Sequence, residues 1–118
     1  MRIVLDENLP RPLKQVFGSA HSVTTVQELG LAGVANGELL ARLEGQFDVF
    51  VTADRNLRYQ QRLVGRTLSI LELPTNRLPA LMGMIPRIVS ALESALPGKY
   101  QTLPFEAVSE NDQSGEDS

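Results

Sequence analysis

The pattern that most constrains this chain is an alternation between two periodicities. Short apolar runs rich in β-branched residues occur at Arg2–Leu5, His21–Val26, Asp48–Thr52 and Thr67–Leu73. Each has the length of a buried strand. Between them, apolar residues recur at helical spacing. Leu13, Val16 and Phe17 follow the first run, with Asn8-Leu9-Pro10 suited to a helix start and Gly18 to a stop. Leu39, Leu40 and Leu43 share one face of a helix over Glu38–Leu43. A basic helix is predicted from Asn56 to about Val64. Leu78–Leu96 reads as a long apolar helix kinked at Pro86. Tyr100–Phe105 closes the series as an edge strand, where Pro104 is tolerated. The order β-α-β-α-β-α-β-α-β predicts one α/β domain, with a mostly parallel central sheet of four to five strands flanked by helices on both faces.

At 118 residues, 42% of them hydrophobic, the chain suffices for one domain with a real core. It has no cysteine, which excludes disulfides, thiolate metal sites and a cysteine nucleophile and agrees with a cytoplasmic protein. No apolar run has the length of a membrane span. Asp6 and Glu7 interrupt the first apolar stretch too early for a signal peptide. The net charge of -3 is unevenly spread: residues 1–105 carry 11 basic and 9 acidic side chains, while residues 106–118 carry five acids and no base. The expected organisation is a mildly basic domain over 1–105 and a disordered acidic tail over 106–118, most simply a solubilising segment.

Two of the strand runs end on acids. "MRIVLDENLP" passes from Leu5 into Asp6, and "VFVTADRNL" passes through Thr52 to Asp54. In a parallel sheet both strand ends lie at the carboxyl edge, where α/β folds bind ligands. Glu38 opens the helix before the third strand and lies within reach of that edge. Three converging carboxylates repel one another unless a cation sits among them, and hard divalent ions take oxygen ligands. The sharp reading is therefore a Mg²⁺ or Mn²⁺ site of Asp6, Glu38 and Asp54, with Asn8, Asn56 and Thr52 as neutral oxygen donors. Taken singly, each acid has a plainer reading. Asp6 and Asp54 suit helix caps, and Glu38 suits the positive end of a helix dipole.

Arg55, Arg58, Arg62 and Arg66 are spaced three, four and four, so on a helix they share a face. Beside a metal site such a stripe can hold a phosphate backbone, although a solvated helix face has the same look. Tyr59 offers a weak stacking surface. His21, the single histidine, reads as a surface or edge residue. Gly30 and Gly33 read as turn glycines, because no phosphate-binding glycine fingerprint surrounds them. Met82 and Met84 read as core, and Ser69 has no histidine partner near it in sequence.

"LDENLP" at 5–10, "ELGLAG" at 28–33 with "NGELL" at 36–40, and "VTADRNL" at 51–57 together resemble the small PIN-like proteins of the DUF5615 or Mut7-C-like group. The resemblance covers about residues 1–75 in order and spacing. It implies a compact PIN-type α/β domain and a Mg²⁺- or Mn²⁺-dependent ribonuclease, often the toxin of a bacterial toxin–antitoxin pair. Implied partners are RNA, such as tRNA, and an antitoxin protein. By motif, Asp6, Glu38 and Asp54 match catalytic, metal-binding acids, and Asn56 occupies the fourth metal position. The family's "SDEEIL" is "ANGELL" here and its "TADRDF" is "TADRNL", so Asn36 and Asn56 stand where acids are usual. That implies weaker metal binding and makes a second ion doubtful.

Two other classes compete. A phospho-acceptor receiver domain would use Asp6, Glu7 and Asp54, with Thr75 after the fourth strand. It would also need a lysine after the fifth, and none occurs between Lys14 and Lys99. A non-enzymatic PIN-like module binding a partner or nucleic acid would suit the two asparagines. The apolar stretch Leu78–Leu96 suits a partner or a homodimer contact, though such stripes are usually core.

Overall fold

The computed structural model describes residues 1–17, 21–57 and 66–105. Five strands form one sheet: β1 (Arg2–Leu5), β2 (Ser22–Thr25), β3 (Val49–Thr52), β4 (Ser69–Glu72) and β5 (Tyr100–Thr102). Their spatial order is β2-β1-β3-β4-β5, and every pairing is parallel. Among the described residues the helices are α1 (Leu13–Phe17), α2 (Asn36–Leu43), α3 (Leu78–Met82) and α4 (Ile85–Glu93). β3 and β4 are buried along their whole length. Burial on both faces suits the apolar run Val49–Val51 of β3, while the polar Thr52, Ser69 and Glu72 are buried at the strand ends.

Side chains alternate across the sheet and feed two cores. Ile3, Leu5, Val49, Val51 and Leu71 face α1, α3 and α4, where Leu13, Phe17, Leu81, Ile88 and Leu92 cover them. Val4, Phe50 and Ile70 face the other way, onto Leu39, Leu40 and Leu43 of α2 and onto Leu57. Each such buried side chain contributes roughly 1.5–3 kcal/mol. The α/β architecture expected from the alternation is the one observed. β5 lies at the sheet edge, with Pro104 just beyond it.

Local boundaries differ in two places. The first helix begins at Leu13 and not at Asn8. Residues 6–13 run instead through tight turns, with Leu9 N–H bonded to Asp6 O and Leu13 N–H to Pro10 O, both at 3.1 Å. Pro10 and Pro12 lack the donors that would continue a helix through this stretch. The long helix over Leu78–Leu96 is two helices, broken at Gly83-Met84. Pro86 cannot bond to the carbonyl of Met82, and its ring would clash there. It sits instead in the first turn of α4, where its missing N–H is harmless. Most of the helix predicted over Asn56–Val64 and the acidic tail 106–118 lie outside the described residues. No helix among the described residues is long and apolar enough to cross a membrane.

Candidate functional site

Strand order reverses between β1 and β3: the chain leaves β1 for β2 on one side and returns to β3 on the other. The crevice at the carboxyl ends of two such strands is where open α/β sheets bind ligands. Asp6 is the first residue after β1, and its N–H extends the ladder to Val51 O at 2.9 Å. Asp54 lies two residues beyond β3. Between them stands Thr52, fully buried. Its hydroxyl donates to Asp6 Oδ2 at 2.6 Å and accepts the Asp54 N–H at 3.0 Å. One hydroxyl thus fixes both acid-bearing segments.

Each carboxylate is further oriented from the backbone. Asp6 Oδ1 accepts the Glu7 N–H at 2.7 Å, and Asp54 Oδ1 accepts the Asn56 N–H at 2.9 Å. The second is a local side-chain turn of the kind Asp favours. Asn36 Nδ2 approaches Asp54 Oδ2 at 3.4 Å from the first turn of α2. Burial raises the Asp6 pKa above the usual carboxylate value. The Thr52 hydroxyl and Glu7 N–H pull it down, and the negative charges of Glu7 and Asp54 push it up.

The expected residues separate into three groups. Asp6 and Asp54 come together, with Thr52 and Asn36 against them. Glu38 does not join them: its carboxylate pairs with Arg42 at 2.5 Å on the exposed side of α2. Glu38 is two positions from Asn36, and residues so spaced point to different sides of a helix. Among the described residues, no three acids or histidines gather closely enough to hold a metal ion. Asn56 contributes its backbone N–H to Asp54. Arg55 flanks the site and donates to Pro74 O at 3.2 Å. Arg58 and Arg62 lie outside the described residues. Arg66 precedes β4 in non-helical chain near Glu44, so it sits at the amino edge, opposite the acids. The stripe therefore does not reach it on one helix face. His21 precedes β2 at that same amino edge.

Glu7 has a role that the sequence reading did not assign, and Glu72 escaped it altogether. Glu7 holds the loop after β2, accepting the Gly33 N–H at 2.7 Å while its own carbonyl accepts Gln27 Nε2 at 3.2 Å. Gly33 has φ +82°, a turn conformation that favours glycine. Glu72 ends β4 in register with Thr52. It is only 2% exposed, and its carboxylate accepts the Tyr100 hydroxyl at 2.7 Å. Its signal was available: an acid one strand period after Ile70, in "SILEL", faces the same core as Ile70.

A family model described as a PIN like domain matches residues 1–66, the stretch from β1 past β3 that carries Asp6, Asn36 and Asp54. No curated protein and no solved structure matches the chain. With the match covering more than half of the sequence and a parallel sheet that sets two acids at its switch point, the chain belongs to the PIN like domain family.

Proposed function

We propose that this protein is a metal-dependent ribonuclease that hydrolyses phosphodiester bonds at the crevice between β1 and β3. The observation that carries this is the Asp6–Thr52–Asp54 arrangement at the switch point of a PIN-like, nuclease-type fold.

The residues fit one hard cation. Mg²⁺ is commonly held by one or two carboxylates plus waters and substrate phosphates. Among the described residues each oxygen of Asp6 and Asp54 has one donor, and a carboxylate oxygen has room for a second. Asn36 adds an amide in place of a third acid. The set is too small for a symmetric two-ion clamp. Bound there, Mg²⁺ or Mn²⁺ would polarise the phosphate and lower the pKa of a water. Asp6 and Asp54 hold that charge in place, and Thr52 keeps their spacing. Arg55, exposed at the rim, binds a backbone phosphate and offsets developing negative charge. Glu38 reaches the crevice only by leaving Arg42, and such exposed pairs are weak.

The test is Mn²⁺ titration calorimetry on wild type and Asp54→Asn, followed by incubation of the same samples with bulk tRNA. Binding and cleavage are both expected in the wild type and neither in the variant. Wild-type protein that binds no Mn²⁺ would sink the reading. The proposed setting is the toxin half of a bacterial toxin–antitoxin pair. Expression should then arrest growth, and Asp54→Asn should relieve the arrest.

Asn36 beside Asp54 favours a second reading, a PIN-like module that binds RNA or a partner without cutting. Mn²⁺ binding with no cleavage of any RNA would select it. The strand order by itself also suits a phospho-acceptor receiver. However, β5 runs out into Leu103-Pro104-Phe105, and Lys99 precedes that strand at the opposite edge.

A further inference from the structure

We propose that a cavity at the carboxyl end of β4 and β5 is a subsite for one unstacked nucleobase of single-stranded RNA whose backbone phosphate is bound by Arg55. The inference rests on the ribonuclease reading and adds how the strand is gripped. The cavity measures about 240 Å³ and is lined by Arg55, Glu72, Pro74, Leu103, Pro104 and Phe105. Arg55 directly follows Asp54, so it links the cavity to one of the two acid-bearing segments.

Its walls mix the apolar Pro74, Leu103, Pro104 and Phe105 with the polar Arg55, Glu72 and Thr102, and their backbone is held. Phe105 is 52% exposed. The segment carrying it is anchored all the same. The Arg87 guanidinium forks onto two backbone carbonyls, Phe105 O at 2.8 Å and Pro104 O at 2.7 Å. Arg55 secures the facing wall through Pro74 O at 3.2 Å. An exposed aromatic residue that lines one cavity with an arginine offers surfaces on which an unstacked base can stack.

Charge sets the orientation. Glu72 lies at the floor, anchored by Tyr100. A carboxylate there repels a phosphate and tolerates a neutral base. Arg55 stands at the rim and keeps N–H groups beyond the one given to Pro74. The base therefore enters the cavity while the backbone stays at the rim, by Arg55.

The sequence contains no tryptophan, so Phe105→Trp in the full chain places a single reporter at the cavity. Its emission is expected to be quenched by a short single-stranded RNA and unmoved by an abasic RNA of equal length. By anisotropy in EDTA, Phe105→Ala is expected to weaken binding of the base-bearing RNA about five-fold or more. Abasic RNA binding and Mn²⁺ affinity are expected not to change. Equal losses for both RNAs, or no loss while RNA still binds, would overturn the subsite and leave the ribonuclease reading standing. Tighter RNA binding by Phe105→Ala would mean that the residues after Phe105 fill the cavity, which also overturns it. A wild type that binds no RNA, with or without Mn²⁺, overturns both.

Discussion

At the residue scale, Asp6 carries a conflict between stability and function. Burial and two nearby acids raise its pKa, so the fold holds a proton there more tightly than the unfolded chain does. For a carboxyl with a raised folded pKa, stability falls as pH rises from the unfolded value through the folded one. Asp6→Asn removes the ionisation and keeps the shape. Without metal at neutral pH its melting temperature should exceed that of the wild type, while its Mn²⁺ binding is lost. Thermal melts in EDTA check the first outcome and calorimetry the second. A lower melting temperature would mean that Asp6 is a structural cap. Glu44 is the opposite case. Its carboxylate accepts the Thr67 and Leu68 N–H groups and the Thr67 hydroxyl, and these lower its pKa. Its contribution is present above its unfolded pKa and is lost as pH falls through the folded value. Glu44→Gln should cost about 1–2 kcal/mol in urea unfolding near pH 7. It should leave Mn²⁺ affinity unchanged, because Glu44 follows α2 at the far edge.

At the element scale, the rotation of α2 decides which of its residues can matter. Leu39, Leu40 and Leu43 turn one side of the helix to the sheet, which sets Asn36 toward Asp54 and Glu38 toward Arg42. Asn36→Asp should raise Mn²⁺ affinity on the order of ten-fold by adding a third carboxylate. The same change should lower metal-free stability through like-charge repulsion. Glu38→Gln should alter Mn²⁺ affinity by less than about two-fold, the scale of an exposed i,i+4 pair. If Glu38→Gln instead abolishes binding, Glu38 leaves Arg42 to complete the site. Between α4 and β5, Gly98 has φ +73°, and an added Cβ would meet Arg66 O at 2.5 Å. Gly98→Ala should destabilise by about 1–3 kcal/mol, measured by chemical unfolding.

At the scale of the whole molecule, the two edges of the sheet divide the work. The amino edge carries paired acids: Asp48 with Arg2, and Glu44 with Thr67 and Leu68. The carboxyl edge carries the Glu28–Lys14 pair and also Asp6, Glu7 and Asp54, which have no cationic partner among the described residues, with Arg55 following Asp54. Strand order concentrates chemistry there because the crevice between β1 and β3 has no crossover above it.

Much of this was written in the sequence. Four apolar runs and the helical leucine spacings determined the strands, their parallel class and the two acids leaving β1 and β3, because strand and helix periods are local properties. The family was legible through the joint resemblance of "LDENLP", "ELGLAG" with "NGELL", and "VTADRNL", which are also local in sequence. The sequence did not determine that Glu38 faces away, that Thr52 links the acids, that Arg66 lies at the far edge, or that Glu72 and Phe105 share a cavity. Those depend on helix rotation and strand order, which are fixed by packing between segments far apart in the chain. Only the tertiary structure makes such contacts, and so only it decided which of the acids meet.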